Sequence, residues 1–199
     1  VGRIVNAGNL TIKTIVETLP YSGREGEVAP VWNMEDATLT LDGGNSWTED
    51  VNPVLYGGIF GNERNTAIHN DGTLNIKNFE VEGTVDNQNI LVANGYTKIE
   101  NLYNKPVKAC YTCVAKTATV TVSAGATLEL DDYAKNFAGA VINVNGIIFG
   151  EFVENYGEIN INETGKGHFN NMPANEEPND DKGELKNYGT INVKGHLAQ

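Results

Sequence analysis

Two cysteines, Cys110 and Cys113, stand in the phrase Cys-Tyr-Thr-Cys. Such a pair serves as a redox couple, as half of a zinc site or as a local disulfide. Redox chemistry wants a helix N-terminus after the first cysteine, and residues 114–122 read instead as a strand. Zinc needs two further ligands, and the three histidines, His69, His168 and His196, are scattered. The pair therefore reads as a disulfide or as two buried thiols.

A second group is the loop Asn45-Ser46-Trp47-Thr48-Glu49-Asp50, continuing to Tyr56 and Phe60, with Trp32 joining from the preceding loop. Aromatic rings in a Gly-rich loop stack on sugar rings, and neighbouring carboxylates and amides take the hydroxyls. The competing reading is a satellite core that packs the loop onto the scaffold. A third group is Glu176-Glu177-Pro178-Asn179-Asp180-Asp181-Lys182-Gly183-Glu184. Clustered carboxylates supply the oxygen ligands that calcium takes, and Glu176, Glu177, Asp180 and Asp181 are the candidates. The spacing matches no EF-hand loop, and a solvated acidic loop explains it as well. The expectation is no cofactor, with calcium the one possible exception.

Catalytic patterns are weak. Polysaccharide lyases need a basic residue beside a cation that neutralises the uronate, and Arg3, Arg24 and Arg64 have no acidic ligand set beside them. Glycoside hydrolases need two carboxylates at a set separation. Asp131 and Asp132 are adjacent, and neighbours on a strand point to opposite faces. No glycine run opens a helix in the manner of a phosphate loop.

What positions these groups is a repeat. Asn-x-Gly followed by a short alternating segment occurs at Asn6–Lys13, Asn70–Lys77, Asn155–Asn162 and Asn187–Lys194. Degenerate copies follow Asn94-Gly95, Gly125 and Asn145-Gly146. Aliphatic residues fall at every second position in 10–16, 37–42, 73–78, 97–101, 118–123, 127–131, 141–145, 158–162 and 190–194, the period of a strand with one buried face. The best helical candidate, 131–137, is too short to argue for. The chain carries 27 asparagines and 22 glycines, both poor helix formers and good turn residues. An amide ladder inside a solenoid is one use for so many asparagines, and ordinary surface turns account for most of them.

A sandwich would show unrelated strands, whereas a β-solenoid reuses one turn-strand unit. The recurring phrase favours the solenoid. With coils of roughly 20 to 25 residues, about eight or nine fit, and at about 4.8 Å each the rod is about 40 Å long. Residues 19–34, 43–67 and 166–183 read as side insertions. The whole of 1–199 reads as one domain. Full repeat units stand almost at both ends, so the expectation is a piece of a longer protein, an end covered by a partner or further repeats, or loops folded back as caps.

Charge narrows the partners. The formal net charge is −12, with 14 Lys plus Arg against 26 Asp plus Glu. Nucleic acid and anionic membrane surfaces are disfavoured, and no apolar run reaches membrane-spanning length.

The Asn-x-Gly-Thr/Glu-Leu/Ile-x-Ile/Val units resemble the degenerate repeats of right-handed parallel β-helix proteins of bacterial surfaces. Adhesin-like and autotransporter-like passenger domains and surface proteins of gut Bacteroidetes are of this kind. The resemblance implies an all-β, right-handed parallel β-helix with side-loop insertions, in an extracellular or cell-surface setting, and implies no catalytic residue. The function expected from it is non-catalytic: an adhesin-like module whose loops bind a glycan or a host surface protein. A polysaccharide lyase or glycoside hydrolase fragment is the alternative, and a structural spacer is the third.

Overall fold

The computed structural model describes residues 4–13, 16–17, 31–45, 53–56, 66–107, 116–169 and 183–198, with the backbone alone at 16–17 and Tyr56. The described residues hold strands and no helix, so none could cross a membrane as a helix.

The strands wind through eight coils. The first holds β1 (Ile4–Asn6), β2 (Asn9–Ile12) and β3 (Val16–Glu17), and the second β4 (Val31–Asn33), β5 (Thr38–Asp42) and β6 (Val54–Tyr56). The third begins with β7 (Thr66–Asn70) and runs into β8 (Thr73–Asn87), which turns two corners into the fourth. β9 (Ile90–Asn104), β10 (Thr119–Val122), β11 (Thr127–Asn136), β12 (Val141–Val144) and β13 (Ile147–Asn155) carry the chain into the seventh coil. β14 (Glu158–Ile161) and β15 (Lys166–Phe169) complete it, and β16 (Glu184–Asn187), β17 (Thr190–Val193) and β18 (His196–Ala198) make the eighth. Every strand pairs in parallel with its counterpart one coil away, in one 18-stranded sheet, an arrangement consistent with a β-solenoid.

Three faces result, here called A, B and C in chain order. On face B, Leu10, Leu39, Leu74, Leu91, Val120, Ile142, Ile159 and Ile191 lie in one register column. Those from Leu39 to Ile159 are at most 1% exposed. Period two places these aliphatics inward, and no single coil could bury them alone.

Face A is built differently. Each of its rungs turns one aliphatic and one asparagine inward. The asparagines are Asn6, Asn33, Asn70, Asn87, Asn104, Asn136, Asn155 and Asn187, eight of the 27. Each amide donates to the side-chain carbonyl of the next, at 2.7–2.9 Å over seven successive bonds. Each of those seven also donates to a main-chain carbonyl of face B, for example Asn70 to Ile90 at 2.9 Å. A buried amide needs partners for its donors and its acceptor, and a neighbour of the same kind supplies both. Smaller amide ladders join Asn143, Asn160 and Asn192, and join Asn145 and Asn162.

The corner after each asparagine is tight. At Gly157 a Cβ would stand 2.3 Å from the Ala140 carbonyl oxygen, so the coil below closes the space. At the corner between faces B and C, Asn78 and Gly95 both adopt positive φ, 48° and 63°, a conformation these two residue types tolerate.

Three expected insertions are shorter than their sequences suggest. Val31–Asn33, Val54–Tyr56 and Lys166–Phe169 are rungs within the segments 19–34, 43–67 and 166–183. Each is too brief to show alternation. The segment 131–137 is strand, not helix. Coil length explains the uneven spacing: ladder asparagines stand 17 residues apart in the tight coils and 37 apart in the longest interval. One further excursion leaves face A after Asn104 and is closed by an antiparallel bridge between Val107 and Lys116. Cys110 and Cys113 fall inside it, outside the described residues.

Candidate functional site

The outward residue just before each ladder asparagine forms a second column: Val5, Trp32, His69, Asp86, Tyr103, Lys135, Glu154 and Lys186. Strand alternation forces this, because the asparagine points in and its neighbour must point out. The residue after each asparagine opens the corner and flanks the same edge. Two clusters arise there.

The first is polar. His69 Nδ1 lies 3.1 Å from Asp86 Oδ2, and Nε2 lies 3.1 Å from Asp71 Oδ1. Trp32 Nε1 donates to Asp71 at 2.7 Å, its ring meets the His69 ring edge-on at 6.2 Å, and Gln88 donates to Asp86 at 3.1 Å. The Asp86 hydrogen bond raises the His69 pKa above the ordinary imidazole value, against a smaller lowering by burial. Burial pushes the Asp86 carboxyl up, but the bonds from His69 and Gln88 outweigh it and hold the carboxyl below its usual range. Both ring nitrogens of His69 are engaged by carboxylates, which leaves no lone pair for a general base. The cluster is a clasp across three coils.

The second cluster is aromatic and occupies coils five to eight. Tyr103 meets Tyr133 and Phe137 edge-on at 6.1 and 6.3 Å. Tyr156 stacks on Tyr188 with centroids 4.7 Å apart and planes 16° from parallel. That separation equals the spacing between coils, so these two rings lie across the stack axis. The Lys135 ammonium sits 4.8 Å from the Tyr156 centroid and 5.4 Å from that of Phe137, between the two rings. It also binds Glu154 at 2.9 Å. Burial, then a hydrogen bond to Glu154, pushes the Tyr133 hydroxyl up to about 12. Tyr156 is 38% exposed and Tyr188 62% exposed, and the outer face of Tyr188 is turned away from coil seven.

Of the residues singled out in the sequence, Trp32 lies on β4 and joins the clasp, while Tyr56 lies on β6, where only its backbone is described. Trp47, Glu49 and Asp50, and likewise Glu176, Glu177, Asp180 and Asp181, lie outside the described residues. Among the described residues no group of three or more His, Cys, Asp or Glu is placed to hold a metal. His69 is not isolated, and His168 and His196 approach to 6.2 Å between centroids, because stacking brings distant sequence positions together. Tyr156 and Tyr188 were not singled out, although they stand inside the Asn-x-Gly phrases as the middle residue. Two aromatics at that repeat position were the available signal.

No family model, no curated protein and no solved structure matches this chain.

Proposed function

We propose that this chain is a non-catalytic binding module of a secreted or cell-surface protein, a right-handed parallel β-helix that holds a glycan along the aromatic edge of face A. The observation that carries the reading is the exposed pair Tyr156–Tyr188, backed by Phe137, Tyr133 and Tyr103 on a stack fixed by the asparagine ladder. Right-handedness rests on the strong bias of parallel crossover connections. A sugar presents C–H groups to the open face of Tyr188 and hydroxyls to the Tyr156 edge, Glu154 and Lys186. The rungs are already fixed, so little conformational freedom is lost on binding. The net charge of −12 favours neutral over acidic glycans.

Calorimetric titration with soluble oligosaccharides cut from neutral polysaccharides tests the reading. Tyr188→Ala should weaken binding by about tenfold, the upper end of what one aromatic contact contributes. Trp47→Ala measures separately whether the loop 45–50 shares the ligand. Equal affinity in the wild type, Tyr156→Ala and Tyr188→Ala sinks the proposal.

A further inference from the structure

On face C, β15 of coil seven pairs with β18 of coil eight, with Lys166 opposite His196, Gly167 opposite Leu197 and His168 opposite Ala198. Gly167 is buried and Leu197 packs against the core, so alternation turns His168 and His196 outward. Diagonal neighbours on the sheet, the two rings come to 6.2 Å between centroids, with planes 60° apart. His168 also stacks on Phe149 of coil six at 5.0 Å and 22°, which fixes the plane of its ring. Among the described residues neither ring is engaged by a hydrogen bond or an ion pair. His69 is the contrast, because carboxylates take both of its nitrogens.

We propose that His168 and His196 together hold a divalent transition-metal ion, zinc or copper, with water completing its coordination. Neutral imidazole suits these ions, whereas calcium and magnesium take oxygen ligands. Burial, then His196 and Lys166, hold the His168 pKa below the ordinary imidazole value, so its ring keeps a lone pair near neutral pH. Metal–nitrogen bonds of about 2.0–2.1 Å put the ring centres of two imidazoles on one ion about 5 Å apart. The observed 6.2 Å is wider by about 1 Å, and rotation about the side-chain torsions of the exposed His196 closes the gap. His168, stacked on Phe149, is then the fixed ligand and His196 the adjustable one. The Lys166 ammonium beside His196 opposes a cation, and the net charge of −12 draws one in. The pair stands on face C, apart from the aromatic edge of face A, so it does not depend on glycan binding.

Zinc chloride titrated into the 199-residue chain near pH 7.5, where free imidazole is mostly neutral, tests this through the ring-nitrogen NMR signals of the three histidines. Ring signals separate this site from any cation held by the cysteines or the acidic segment 176–184. His168 and His196 should shift together along one saturating curve, and His69 should stay put. His168→Gln and His196→Gln should each weaken binding at the remaining ring by at least about tenfold, no less than losing an outer partner of a metal ligand costs. Both rings point outward, and circular dichroism confirms that the variants fold. Calcium at the same concentration should move neither ring. Ring signals that zinc leaves unmoved up to about 1 mM, the scale of weak affinity, overturn the proposal. So do shifts at one ring only, undiminished binding in either variant, or the same shifts with calcium.

Discussion

Replacing Asn87 by alanine removes the centre of the buried ladder. Its side chain is fully buried, accepts from Asn70 at 2.7 Å and donates to Asn104 at 2.9 Å and to the Thr119 carbonyl at 3.2 Å. Asn70 keeps its bond to the Ile90 carbonyl at 2.9 Å, so that amide is not orphaned. The Asn104 carbonyl oxygen loses its ladder donor. Two to three net hydrogen bonds at about 1 kcal/mol each, plus a small cavity, give a loss of about 2–4 kcal/mol. Asn87→Asp should cost more, because an ionised carboxylate accepts from Asn70 but repels the Asn104 oxygen and buries a charge. Asn187→Ala, at the exposed end, should cost under about 1 kcal/mol, since water can replace both bonds that are lost, the one from Asn155 and the one to the Gly189 carbonyl. The assay is urea denaturation followed by circular dichroism, with the slope compared between variants to check that unfolding stays cooperative. A change below about 0.5 kcal/mol for Asn87→Ala, the scale of an ordinary surface substitution, would refute the claim that the ladder holds face A together.

Further consequences follow from other contacts. His69 has a raised pKa in the folded state, so its clasp stabilises fully below about 6.5 and the contribution fades as pH rises through the folded value. Asp86, held low, contributes above about 3.9 and loses its share as pH falls, so the clasp works best between these limits. The stability gap between wild type and His69→Gln should therefore be about 1 kcal/mol near pH 5.5 and shrink near pH 8.5; a gap that grows with pH contradicts the geometry. Gly157→Ala should destabilise by about 1–3 kcal/mol in the same urea assay, because its Cβ would meet the Ala140 carbonyl oxygen at 2.3 Å. Glu154→Gln should lower the Tyr133 pKa from about 12 toward the usual tyrosine value without reaching it, since burial remains, and NMR-monitored titration reads this directly.

Face B was plain in the sequence because both inward positions of its rungs are aliphatic, as in Val141-Ile142-Asn143-Val144. Face A was not, because one inward position of each rung is an asparagine. In Val85-Asp86-Asn87 only one aliphatic faces the core, and a search for alternating aliphatics passes over it. The asparagine of the Asn-x-Gly phrase was visible as a turn residue, yet it is also the last inward residue of the strand before. The eight coils fall within the expected number, although coils as short as 17 residues are tighter than expected. The aromatic edge was harder to see: Tyr103 and Tyr133 meet only because an excursion of the chain is skipped when the coils stack. Spacing along the chain does not encode that neighbourhood, whereas parallel register does.

The function proposed for the aromatic edge is glycan binding without cleavage. Retention and turnover measured together on a panel of polysaccharides, with and without calcium, test it most directly. The account predicts retention of a neutral glycan by the wild type, no new reducing or unsaturated ends, and loss of retention in the Tyr156→Ala/Tyr188→Ala variant. Cleavage products, or retention that the double variant leaves intact, would contradict it.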